Sequence, residues 1–112
     1  VDIRFQRATA PADADLAAYA RRCLLLRLQH RSNDVVRVDV ELVDAASQVP
    51  RRDSYCIVRM QLQGLPAATV VDVSANVRMA IDRAADRAGL LTEAQWRQAN
   101  RSPVPQTLAV AP

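Results

Sequence analysis

The chain has 112 residues, room for one domain that buries roughly 65% of the surface its unfolded form exposes. Half of the residues are hydrophobic and only 4% are aromatic, so an aliphatic core is available without disulfides or a structural metal. The formal charge is +3, made up of 15 arginines and no lysine. No stretch approaches the ~20 apolar residues of a membrane span, and Asp2, Arg4 and Arg7 break any apolar leader at the start. These features lead to the expectation of a soluble, cytoplasmic protein.

Taken in order, Val1, Ile3 and Phe5 alternate with Asp2, Arg4 and Gln6, the pattern of a half-buried strand. Thr9, Pro11 and Asp13 form a turn and helix-start cluster. The spacing predicts a helix from about Asp13 to Gln29, with Leu16, Ala20, Cys23, Leu24 and Arg27 along one side. Arg27 falls on that apolar side, so its stem packs while its head reaches water. Ser32-Asn33-Asp34 ends the helix. Val36, Val38, Val40 and Leu42 then alternate with Arg37, Asp39 and Glu41 and are expected to face inward.

Residues Asp44 to Asp53 read as a loop carrying Pro50, Arg51 and Arg52. A third strand places Cys56, Val58, Met60 and Leu62 inward and Tyr55, Ile57, Arg59 and Gln61 outward. Gly64-Leu65-Pro66 is a turn. A fourth strand, Ala68 to Ser74, is read with Val71 and Val73 inward. A second helix is predicted from about Asn76 to Ala88, its core stripe being Val77, Ala80, Ile81, Ala84 and Ala88, with Gly89 as C-cap. Thr92 with Gln95 resembles a capping box that opens a short further helix through Trp96. From Ser102 the three prolines and the absence of periodicity predict a flexible tail.

The order β-α-β-β-β-α defines an α+β fold: a four-stranded sheet with both helices packed on one face. The domain is expected over residues 1–90, with a short helix and Pro-containing tail over 91–112.

Catalytic chemistry finds little footing. His30 is the single histidine and has no partner at a spacing that makes a base. Cys23 and Cys56 lie far from any clustered ligands, so no metal is expected; both sit in apolar patterns and read as thiols of a reducing compartment. Whether they pair depends on a Cα distance that sequence does not supply. With Gly64 and Gly89 as the only glycines, a glycine-rich phosphate loop is absent. Asp82 and Asp86, one helical turn apart, are expected to pair with Arg78 and Arg83. The expectation is therefore not an enzyme, with no cofactor and no small-molecule substrate.

Binding has more support. Arg21 and Arg22 point away from the apolar stripe of the first helix, and Arg83 and Arg87 lie one turn apart on the second. With the helices side by side, these four form one basic surface, flanked by Arg31 and by Arg51 and Arg52. Guanidinium forks pair bidentately with phosphate and stack on bases, although a GC-rich coding sequence produces the same Arg-for-Lys bias. The outer sheet face, with Tyr55 beside Arg4, Arg37 and Arg59, is a second candidate for base stacking, without the paired aromatics of an RRM.

The element order, the segment Val35-Val36-Arg37-Val38-Asp39-Val40-Glu41-Leu42 and above all Ala80-Ile81-Asp82-Arg83-Ala84-Ala85-Asp86-Arg87-Ala88 resemble the ribosome hibernation promoting factor family, also called ribosome-associated inhibitor or sigma-54 modulation protein. The likeness spans about residues 1 to 90 and is to the short stand-alone form. It implies a fold similar to double-stranded-RNA-binding domains. It also implies a translation inhibitor of resting or stressed cells that binds small-subunit rRNA through helix arginines, with Arg22, Arg83 and Arg87 at matching basic positions. Gly89-Leu90-Leu91-Thr92 stands where the family continues its basic helix, and Leu25-Leu26 stands where charged residues are common. Those apolar residues, with Trp96, motivate the alternative of a diverged member serving as a protein-interaction or homodimerisation module.

Overall fold

The computed structural model describes residues 2–6, 13–29, 33–43 and 53–101. The expected turn after the first strand, His30, most of the loop after Val43 and the tail from Ser102 lie outside them. Among these residues the order is β1 (Asp2–Gln6), α1 (Asp13–Leu28), β2 (Val35–Val43), β3 (Ser54–Leu62), β4 (Ala68–Ser74) and α2 (Val77–Arg101). The strands form one mixed sheet in the order β1-β2-β3-β4. β1 runs parallel to β2, and the other two pairings are antiparallel. The expected α+β architecture is therefore present.

β3 follows its alternation as read, with Cys56, Val58, Met60 and Leu62 buried on the helix side. β2 and β4 do not. The pairing of β2 with β3 shifts between Val35 and Arg37, so a bulge turns Val35 inward and leaves Val36 52% exposed. In β4 the inward residues are Ala68 and Val70, while Val71 and Val73 are 47% and 51% exposed. Thr69-Val70-Val71-Asp72-Val73 has valines on both faces. The register on β3 sets Ala68 beside Met60 and Val70 beside Val58, and on the same side Asp72 takes a hydrogen bond from Arg87 of α2 at 2.9 Å.

The two helices seat themselves differently. α1 fills the core with Leu16, Ala20, Leu24 and Leu28, a strict i, i+4 row. Cys23 is half-buried and Arg27 is exposed at its head. α2 presents Ala80, Ala84 and Ala88, all fully buried, with Val77, Ile81 and Ala85 beside them. Methyl-sized side chains let its backbone approach β3 and β4 closely, and α2 packs on both strands as well as on α1. Asn76 caps it: its Oδ1 accepts from the amides of Arg78 at 2.8 Å and Met79 at 3.4 Å.

α2 does not stop at Gly89. It is continuous over 25 residues, about 37 Å, and replaces the predicted cap and separate short helix. Two contacts explain this. A Cβ added at Gly89 would lie 3.3 Å from Cβ of Arg27, so the glycine sits at a close approach of α1 to α2. Thr92, read as the start of a new helix, is buried inside this one. Its hydroxyl donates to the carbonyl of Ala88 at 2.9 Å and lies 3.4 Å from Sδ of Met60. The turn at Gly64 is as expected, with a positive φ of 73° that favours glycine.

The crossing makes a specific prediction. Gly89→Val should push the helices apart and lower stability by about 1–3 kcal/mol, the usual cost of overpacking, despite the gain in helix propensity. Urea unfolding, with an unchanged m-value, measures it.

Candidate functional site

Each residue type in the segment Ala80–Ala88 faces its own direction. The unit Ala-Ile-Asp-Arg (80–83) is followed by Ala-Ala-Asp-Arg (84–87), and a four-residue step returns nearly to the same side of a helix. The alanines face the sheet. The aspartates face α1, and the arginines fall on the opposite flank, toward the β4 edge.

On the α1 side, Tyr19 and Cys23 meet Asp82, and Arg27 meets Asp86. The Tyr19 hydroxyl donates to Oδ1 of Asp82 at 2.5 Å, the Cys23 thiol lies 3.6 Å from the same oxygen, and Nε of Arg27 donates to Oδ1 of Asp86 at 2.5 Å. The Arg78 guanidinium lies over the Tyr19 ring, 4.8 Å from its centre, an attractive cation–π geometry. The expected pairing of Asp82 and Asp86 within α2 is thus replaced by pairing across the helices. Sequence spacing identified the acids but carried no information on Tyr19, 63 residues away.

The hydrogen bond to Asp82, together with burial, pushes the Tyr19 phenol up to about 12, because only the protonated phenol can donate. Burial first, then the nearby Asp72 carboxylate, pushes Cys56 up to about 12, and burial also raises Cys23. Both cysteines carry free thiols, with Cys56 buried and Cys23 half-buried.

On the other flank, Arg87 uses one nitrogen for two acceptors: the Asp72 carboxylate at 2.9 Å and the carbonyl of Val71 at 2.9 Å. It therefore ties α2 to the last strand of the sheet. A shallow groove of about 490 Å³ lies beside it, lined by Thr69, Val70, Arg87, Leu90 and Leu91. Arg83 lies one turn away, exposed, and makes no ion pair with another described residue.

Arg21 goes to the opposite end of the sheet. Its guanidinium lies 5.5 Å from the centre of the Phe5 ring in β1. Arg22 points outward from α1 and, like Arg83, has no ion-pair partner among the described residues. Arg21 and Arg87 thus stand at opposite edges of the sheet. Arg31, Arg51 and Arg52 lie outside the described residues. No group of three or more His, Cys, Asp or Glu that could hold a metal occurs among the described residues, and no helix among them is long and apolar enough to cross a membrane.

Neither family models nor curated proteins match the sequence. Solved structures do. The N-terminal domain of Thermus thermophilus Protein Y superposes with a TM-score of 0.55 at 21% identity, covering 80% of this chain and 90% of that domain. A ribosomal subunit interface protein from Coxiella burnetii superposes with a TM-score of 0.55 at 12% identity, covering 80% and 89%. The likeness is one of fold. It spans most of both molecules, and it agrees with the α+β fold that the element order implied.

The geometry of the site leads to two predictions. Arg87→Ala should cost about 0.5–1.5 kcal/mol, because it leaves the mostly buried Asp72 carboxylate without this partner. Arg22→Ala and Arg83→Ala should stay within about 0.5 kcal/mol of wild type in the same urea titration. The second concerns pH. Cys56 and Tyr19 hold their protons more tightly folded than unfolded, so their contribution is fully present below the unfolded values and lost as pH climbs toward 12. Unfolding free energy should therefore fall steadily from about pH 8.5 upward, and Cys56→Ala, though less stable overall, should show a shallower fall.

Proposed function

We infer that this protein is a ribosome-associated translation inhibitor of the hibernation type, a non-enzymatic binder of small-subunit rRNA in the cytoplasm. The observation that carries the reading is the shared fold: two solved structures, one a ribosomal subunit interface protein, align with four-fifths of the chain. The residues support it in a specific way. Arg22 and Arg83 are exposed guanidinium groups without an ion-pair partner among the described residues, ready for phosphate, whereas the aspartates of α2 are turned to α1 and engaged there. Arg21, Arg31, Arg51, Arg52 and Arg87 complete the candidate rRNA contacts. Blocking a nucleic-acid channel needs shape and several phosphate contacts, whose strength falls steeply with salt.

Cosedimentation with purified 30S subunits and 70S ribosomes at two salt concentrations tests this. Binding is expected at low salt with a steep decline as salt rises. Replacing Arg22 and Arg83 together with alanine should weaken it and reduce the salt slope by about 1 for each phosphate-bound guanidinium removed. Failure to sediment at low salt overturns the reading.

A further inference from the structure

The sheet has a second face that the helices leave open, and its composition is divided. At one end Val43, Tyr55, Ile57, Val71 and Val73 lie together. The register places Val43 beside Tyr55 and Tyr55 beside Val73, with Ile57 beside Val71 in the next outward row. Val71 and Val73 are about half exposed, and the other three are partly so. Five apolar side chains grouped on an outer sheet face exceed the scattered exposure normal for a surface.

At the other end the charges alternate. Arg4 pairs with Asp2 at 2.9 Å, Arg37 with Asp39 at 3.1 Å, and Arg59 with Glu41 at 3.8 Å. These three arginines and three carboxylates cancel. A polyanion gains little from such a face, because each arginine is already beside an acid. A partner that matches it must itself be neutral, mixed in sign and apolar at one end, and a second copy of the same face has those properties.

We propose that the outer face of the sheet is a self-association surface, on which two copies pack sheet to sheet and bury Ile57, Val71 and Val73. Stacked sheets sit about 10 Å apart with interleaved side chains. Four strands of these lengths outline about 500 Å² per copy at ~4.8 Å strand spacing. With the whole face covered the pair buries about 1,000 Å², the floor for a specific association. The helices and Arg22 and Arg83 stay outside the contact, so self-association is independent of ribosome binding.

Sedimentation equilibrium of the full chain without ribosomes, from about 5 to about 500 μM, decides it. The mass is expected to rise from 12.3 kDa toward twice that value. Ile57→Asp and, separately, Val71→Asp should hold the protein at the monomer mass with an unchanged circular dichroism spectrum. Leu26→Asp, on α1, should dimerise like wild type. A monomer mass throughout the range for wild type overturns the proposal, as does a dimer that survives both aspartate substitutions. So does a monomeric wild type whose affinity for a labelled single-stranded oligoribonucleotide drops in Tyr55→Ala, since the face is then a nucleic-acid platform.

Discussion

The close seating of α2 on β3 and β4 governs the arrangement of everything else. Ala80, Ala84 and Ala88 are fully buried, and with only a methyl group each they bring the helix backbone down onto the strands. Once that stripe is fixed, a rotation of 100° per residue leaves no freedom in where the neighbours point. Asp82 and Asp86 must turn to α1, while Arg83 and Arg87 must turn to the edge of the sheet. Gly89 extends the same logic to the helix pair, admitting Cβ of Arg27 where any side chain would crowd it.

From this follows a division of labour among the charges. The aspartates of α2 are engaged by Tyr19, Cys23 and Arg27 at the seam between the helices, where Arg27 offsets one of the two charges. Arg87 holds β4, and Arg21 lies against Phe5 at the far strand. Only part of the arginine complement is thus left pointing outward for a partner. Arg22 and Arg83 remain exposed without an ion-pair partner among the described residues.

The two broad surfaces differ in physical character. The helix side carries arginines that no acid satisfies among the described residues, as at Arg22 and Arg83. The outer sheet side pairs its arginines with carboxylates and collects its apolar residues at one end. A nucleic acid is drawn to unsatisfied positive charge, whereas desolvation favours burial of a neutral, partly apolar face.

The sequence by itself determined the element order, the inward set of β3 and the apolar row of α1, because local alternation and i, i+4 spacing are properties of a single chain segment. It also pointed to the Ala80–Ala88 segment as the most informative stretch. It misread Val36, the orientation of β4 and the end of α2, each for a tertiary reason. A bulge against β3 reversed Val35 and Val36. The choice between Val70 and Val71 was left to the register of β4 on β3, which sets Val70 beside Val58. Gly89 and Thr92 look like helix punctuation until α1 and Met60 are beside them. The arginines show the same limit. Their number and spacing could be read directly, but which remain available depended on what packs next to each, and that is decided only when residues some sixty positions apart are brought into contact.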